Sequence, residues 1–338
     1  MSNLKSDGQP VPGSIYFYAP NQGAPVFFAA AFAASGLVHL WQCIHYRCFK
    51  LTALLPFCCL LFSAGFAARE YGAFHYDNLQ VYIASTLLIY MSPPILELAN
   101  YHILGRVLYY VPYFAPIHPG RVLTTFGTLS SVVEVLNAIG VSYLANRTLP
   151  DRFLRLGDAL MKVSLVLQIV VISLFFLLAA IFHHRCRAGG VLSSRVKSPL
   201  ATLYVSMLLI LGRTIYRMVE HFGAPIPSST AAADIDATSF SPVLRYEWFF
   251  YVFEATLMLI NSALWNARHP RRYLPNDPRI YLAQDGRTEL EGPGWKDQRS
   301  WAVTCLDPFG LADRKHGEKP FWEHNGFAHP SIGSRDGV

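Results

Sequence analysis

Residues 199–212 read PLATLYVSMLLILG, and residues 213–223 continue RTIYRMVEHFG. The first stretch is uncharged, and with the opening of the second it exceeds the roughly 20 residues that a helix needs to cross the hydrocarbon layer of a membrane. Arg213, Arg217 and Glu220 follow one another at spacings of four and three, so on an α-helix they project from one face, with Tyr216 beside them. A spanning helix thus carries a polar stripe where polarity is expensive, and the stripe must find partners or water inside a bundle.

The rest of the chain has the same character. Of its 338 residues, 52% are hydrophobic and only 15% charged, with a mean hydropathy of +0.28, a balance that excludes an ordinary soluble domain. Seven apolar segments of span length fall at about 25–46, 50–70, 79–104, 121–145, 161–183, 200–222 and 246–266. The expected architecture is an all-α membrane protein, a seven-transmembrane-helix bundle over 25–270, preceded by an external segment 1–24 and followed by a flexible cytosolic tail 271–338. Pro93 and Pro94 interrupt the third segment and should kink it, freeing backbone groups that neighbouring helices must satisfy. The first apolar run is too long for the core of a cleavable signal peptide, so none is expected.

Orientation follows from the basic residues near the helix ends. Arg47, Lys50, Arg106, Arg121, Arg185, Arg187, Arg195, Lys197, Arg268, Arg271 and Arg272 fall on one side, which by the positive-inside rule is cytosolic. The amino terminus is then external and the carboxyl terminus cytosolic. The basic stretch NRTLPDRFLR on the other side contains Asn146-Arg147-Thr148, a glycosylation sequon usable only outside the cytosol. All six cysteines lie in helices or on the cytosolic side, so no disulfide framework is expected. The net charge of +6 is spread through the loops, which suits anionic lipid headgroups and gives no reason to expect nucleic acid as a partner.

Chemistry must come from polar groups within the bundle. His39 and Gln42 share a face of helix one; Glu97, Asn100 and Tyr101 one of helix three; Ser130, Glu134 and Asn137 one of helix four; Glu247, Tyr251 and Glu254 one of helix seven. Such stripes suggest a lined central cavity. Each also has a plainer reading: a buried imidazole such as His39 is satisfied by a neighbouring carbonyl, and Arg69-Glu70 and Glu220-His221 near the external interface can snorkel or form structural ion pairs. Glu254 lies too deep for a short carboxylate to reach water unaided. No Cys/His spacing for zinc, no Gly-rich phosphate loop and no Gly-x-Ser-x-Gly elbow is present, so no metal, cofactor or nucleotide is expected.

Five stretches, YFYAPNQGAPVFFAAAFAASGLVHL (16–40), AAREYGAF (67–74), SPPILELANYHILGRVL (92–108), GRTIYRMVEHFG (212–223) and YEWFFYVFEATLMLINSALWNARHP (246–270), occur in an order and spacing that resemble the fungal lipid-translocating exporter family, the seven-helix proteins named for aminocholesterol resistance. The resemblance runs from about Tyr16 to Pro270. It implies an integral membrane protein of the plasma membrane or an endomembrane, linked to efflux of sphingoid bases or other lipids and to resistance against toxic amphiphiles. Its motif positions fall on His39, Glu70, Tyr101, Arg106, Arg213, Arg217, Glu220 and Glu247. Helix four departs from the pattern, with Ser130 and Asn137 where the family usually shows aspartate and glutamine, and with Glu134 added between them. Helix seven carries Glu254 where the family usually has aspartate.

Two functions fit these residues. One is a translocator of lipids or amphiphiles, with substrate-binding groups among His39, Glu70, Tyr101, Arg213, Arg217, Glu220, Glu247 and Glu254, the arginines suiting an anionic group and the carboxylates an amine. The other is a membrane-embedded enzyme of the acid-catalysed cyclase or isomerase type, with Glu134 or Glu254 as the general acid. Protease protection on sealed microsomes, with tags at both ends, checks the orientation: the carboxyl-terminal tag should be digested and the amino-terminal tag protected.

Overall fold

The computed structural model describes residues 20–75, 78–145, 149–191, 193–223, 242–294 and 300–307. Seven helices in it are long and apolar enough to cross a membrane. They are α1 (Ala24–His45), α2 (Leu54–Phe74), α3 (Leu79–Tyr110), α4 (Pro119–Ala145), α5 (Asp151–Ala188), α6 (Ser194–Phe222) and α7, which is built of three consecutive pieces, Trp248–Phe250, Tyr251–Thr256 and Leu257–Ala267. The sequon at 146–148 lies outside the described residues.

Each expected segment has its helix, but α5 starts ten residues before the apolar run at 161. Its first turns carry Arg152, Arg155, Asp158 and Lys162, so hydropathy misses them, while Leu154, Gly157 and Met161 on the opposite face are buried. This is the pattern of an amphipathic extension of a spanning helix. Asp158 and Lys162 pair at 2.8 Å one turn apart.

Consecutive helices pack on one another, α7 closes back on α1, and α3 also touches α6. The bundle is therefore a ring that α3 and α6 bridge across its middle. Large apolar side chains such as Phe27, Leu37, Trp41, Leu60, Leu177 and Leu208 stay exposed on its outside, where lipid and not water is their natural solvent. Since lipid tails are as apolar as leucine, helices are held by close packing and polar contacts. A Cβ added to Gly140 on α4 would meet the Gly157 carbonyl oxygen at 2.9 Å, and one added to Gly157 would meet that of Gly140 at the same distance. The two backbones touch there, which only small residues allow.

The α3 helix runs on through Pro93 and Pro94. Around them the Ser92 hydroxyl donates to the Leu88 carbonyl at 2.8 Å, and the Cys58 thiol of α2 donates to the Ser92 carbonyl at 3.3 Å. These bonds fall on carbonyls flanking those of Ile89 and Tyr90, the two that lose their amide donors to the prolines.

The tail is not uniformly flexible. Strands β1 (Ile280–Leu282) and β2 (Glu289–Glu291) form an antiparallel hairpin pairing Ile280 with Glu291 and Leu282 with Glu289. Its turn holds Asp285, whose carboxylate accepts from the backbone N–H of Arg287 and of Thr288, each at 2.9 Å. The hairpin docks on the end of α3 because four side chains there need partners. Arg106 donates to the carbonyls of Asp277 (2.9 Å) and Ile280 (3.1 Å), Tyr109 to that of Arg279 (3.2 Å), Tyr113 to that of Ala283 (3.0 Å), and Tyr110 to the Glu289 carboxylate (2.8 Å). Leu274, Tyr281 and Leu282 are buried by this docking. Arg106, counted from sequence among the loop cations, is instead a helical residue only 2% exposed. Sequence composition missed the docking because Pro, Gly and charge mark irregular backbone without saying whether it is packed.

A chain ending at residue 276 removes both carbonyl partners of Arg106, bonds of the charged class worth about 1.5–3 kcal/mol each. It should unfold at lower temperature in detergent than a chain ending at 307, which keeps every contact named above.

Candidate functional site

Glu254 sits on α7 with no exposure, and Arg213 of α6 donates its Nε–H to both carboxylate oxygens, at 2.8 and 2.9 Å. A turn widened to π geometry over Tyr251–Thr256 sets this up, with the Thr256 hydroxyl donating to the Tyr251 carbonyl at 2.8 Å. Such a turn changes the helical phase. The α-helical face read from sequence for Glu247, Tyr251 and Glu254 is therefore divided: Glu254 faces α6, while Glu247 accepts from Tyr251 Oη at 3.0 Å and from Arg69 of α2 at 2.8 Å. An inserted residue in the hydrogen-bonding pattern leaves no mark on residue spacing.

A second carboxylate is buried as well. Glu97 of α3 is 1% exposed. Gln168 of α5 places its amide Nε2 at 2.5 and 2.6 Å from the two carboxylate oxygens, and the Tyr101 hydroxyl donates to one of them at 3.0 Å. Tyr101 also lies 3.1 Å from the Ser130 hydroxyl of α4. Glu134, one turn on, shares its helix face with Asn137. Among the described residues, Glu134 and Arg213 lie near enough to Glu97 to act on it electrostatically, so polar groups of α3 to α7 meet in one region. Gln168 was not singled out from sequence; a lone amide inside LVLQIVV was the available signal.

The remaining stripe residues form separate clusters. Arg217 donates to Glu220 at 2.5 Å and to the Tyr90 hydroxyl of α3 at 2.7 Å, with its guanidinium 3.9 Å from the Tyr90 ring centre and its other nitrogen 2.8 Å from His221 Nε2. Tyr90 was absent from the sequence reading, since the only polar residue one turn from it is Thr86 and neither is charged. Where α1, α2 and α7 meet, Arg69 lies 4.4 Å from the Phe250 ring centre. There Glu247 accepts from the backbone N–H of Asn21 at 2.6 Å, and Glu70 from that of Gly23 at 3.2 Å.

His39 is at the opposite half of α1, with Nε2 at 3.2 Å from the Ser262 carbonyl and 3.3 Å from its hydroxyl, and Gln42 donates to the Asn266 carbonyl at 2.9 Å. The stripes thus occupy several places and bind one another across helices. Beyond the end of α1, Cys48 lies 3.1 Å from the Thr52 hydroxyl and 3.9 Å from His269 Nε2. Its hydrogen bond with Cys43, aided by His269 and Thr52 against the opposing effect of burial, holds its thiol below the usual cysteine range.

Arg213→Ala leaves the Glu254 carboxylate buried without its cation, a change of order 3–5 kcal/mol for a fully buried pair. Arg213→Ala combined with Glu254→Gln should recover part of that loss in thermal stability, the signature of coupling in a mutant cycle. Strictly additive losses would show that the two do not act as a pair.

The description "RTA1 like protein" matches residues 55–277. A Leptosphaeria maculans protein named lipid-translocating exporter-like protein RTA1 is 50% identical over 300 residues, which is 84% of this chain and 56% of the relative, so the chain spans just over half of that relative's length. An Ajellomyces capsulatus protein of the same name is 28% identical, over 81% of this chain and 86% of its own. The probable lipid transporter atnI of Emericella nidulans is 24% identical, over 78% and 69%. No solved structure matches. With more than half its length matched and seven helices of membrane-spanning length and apolarity, the chain belongs to the RTA1-like protein family and is an integral, multi-pass membrane protein.

Proposed function

We propose that this chain translocates lipids or amphiphilic small molecules across its membrane, with the amino terminus external and the carboxyl terminus cytosolic, and that it thereby raises tolerance to toxic amphiphiles. The observation that carries the reading is the Arg213–Glu254 pair within the spanning part of the bundle. A guanidinium and a carboxylate held together inside a membrane offer both halves of a recognition site: an anionic headgroup replaces the carboxylate on arginine, and an amine replaces the arginine on the carboxylate. A zwitterionic headgroup does both at once, so the pair need never be left uncompensated while the headgroup passes. The acyl or ring portion stays against the apolar outer surface, in lipid.

Support also comes from the relatives, two of which carry names for lipid translocation or lipid transport. In this proposal Arg217, Glu220 and Tyr101 flank the path, and Glu70 and Glu247 stand at its external mouth beside Arg69. His39, bonded to Ser262, lies toward the cytosolic half.

Purified protein in liposomes with a labelled sphingoid base tests the function. The labelled base should change leaflet at a rate above that of empty liposomes, and Arg213→Ala should slow it by about tenfold, equivalent to ~1.4 kcal/mol in the barrier. Recovery of a chemically altered product without movement would instead mark an enzyme.

A further inference from the structure

The buried carboxylates Glu97 of α3 and Glu254 of α7 and the half-buried Glu134 of α4 lie in the field of Arg213, whose Nε is engaged by both oxygens of Glu254. Arg217, the next cation along α6, is engaged by Glu220. If every carboxylate were ionised, Glu97 and Glu134 would stand as two negative charges with no cation of their own. Inside a membrane such charges are favoured only when paired, hydrated or removed by a proton.

The hydrogen bonds around Glu97 favour the last of these. Among the described residues its contacts are one hydroxyl, from Tyr101, and one amide, from Gln168, with no cation in contact. Both carboxylate oxygens crowd the single nitrogen Nε2 of Gln168, while Gln168 Oε1 is buried with no hydrogen-bond partner. A carboxylate cannot satisfy that oxygen, since it has no hydrogen to give. A neutral carboxylic acid has one: with the Gln168 amide turned so that Oε1 faces the acid O–H, that O–H donates to the amide oxygen while the amide N–H donates to the acid carbonyl, a cyclic acid–amide pair that leaves neither group orphaned. The Tyr101 hydroxyl, with the Ser130 hydroxyl 3.1 Å beyond it, continues the contact from α3 to α4, the helix that carries Glu134.

We propose that Glu97 is a proton-carrying site in the membrane interior, and that uptake of a proton there from one side and its release to the other supplies the driving force for the translocation proposed above. The coupling half rests on the translocator reading; the proton site does not. In the step itself a proton from water forms the O–H bond of the neutral acid, and the same bond breaks when the proton leaves, with no other reactant. The groups that face Glu97 are Tyr101 on its own helix, Glu134 from α4, Gln168 from α5 and Arg213 from α6, and Glu254 of α7 acts through Arg213. An amine headgroup that replaces Arg213 on Glu254 leaves that guanidinium without its carboxylate, strengthens its pull on Glu97 and favours loss of the Glu97 proton, a direct electrostatic link between the two sites.

Infrared spectroscopy of the full chain in phosphatidylcholine nanodiscs reads the site directly. The wild type should show a carboxylic acid C=O band near neutral pH that fades on alkalinisation. Glu97→Gln should lose that component, Glu97→Asp should keep it at a shifted frequency, and Tyr101→Phe should shift it. If the Glu97→Gln and wild-type spectra titrate identically while Glu97→Asp is monodisperse, the proton site is overturned. In liposomes holding a labelled sphingoid base and an internal pH dye, an imposed pH gradient should speed movement several-fold in wild type and leave Glu97→Gln unaffected. A rate that follows a sodium gradient, or no gradient, overturns the coupling. A titrating band with no movement of lipid upholds the site and sinks the translocator reading instead.

Discussion

Inside hydrocarbon a polar side chain has only the protein to bond with, and this constraint acts most strongly through α6. Arg213 reaches Glu254 on α7, Arg217 reaches Tyr90 on α3, and Ser206 takes bonds from Asn100 of α3 at 2.8 Å and from Trp265 of α7 at 3.1 Å. Asn261 of α7 adds a bond to the Ser206 carbonyl. A helix with this many inward polar groups cannot turn about its axis without orphaning several of them, and each orphan in a low-dielectric interior is costly. The contact of α3 with α6 across the ring follows from that, and so does the placing of α7 against α6.

The departure from α geometry in α7 serves the same constraint. Two carboxylates one heptad apart would face one side of an ideal helix and compete for the same cations. The widened turn at Tyr251–Thr256 sends Glu247 to Arg69 and Glu254 to Arg213, so each has its own guanidinium. One ion pair then ties α7 to α2 near the start of the helix, and the other ties it to α6 further in. A helix fastened by two separate pairs keeps one tie to the bundle when the other opens.

The carboxyl-terminal hairpin answers a local version of the same demand. Arg106 and three tyrosines at the end of α3 present five donors where the helix runs out, and the extended backbone of 277–283 and the Glu289 carboxylate supply the acceptors. Arg195, at the start of α6, reaches the same Glu289 carboxylate, so the hairpin bridges the ends of the two helices that cross the middle of the ring. Residues that read as tail in composition are in this respect part of the bundle.

Sequence alone determined the seven spanning segments, since apolar length follows from bilayer thickness and needs no knowledge of neighbours. It also showed which residues could not face lipid: the Arg213–Arg217–Glu220 stripe, Glu97 with Tyr101, and Glu254 were each legible because charge in an apolar run is rare. Tertiary structure decided the rest. Gln168 and Tyr90 took their roles from helices distant in sequence, Arg69 became the partner of Glu247, and Arg106 turned inward to the hairpin. The π turn has no spacing signature, and docking depends on partners that a hydropathy window does not contain. Which side chain a buried polar group meets is fixed by how helices are rotated and stacked, and that is a property of the packed bundle and not of any one segment.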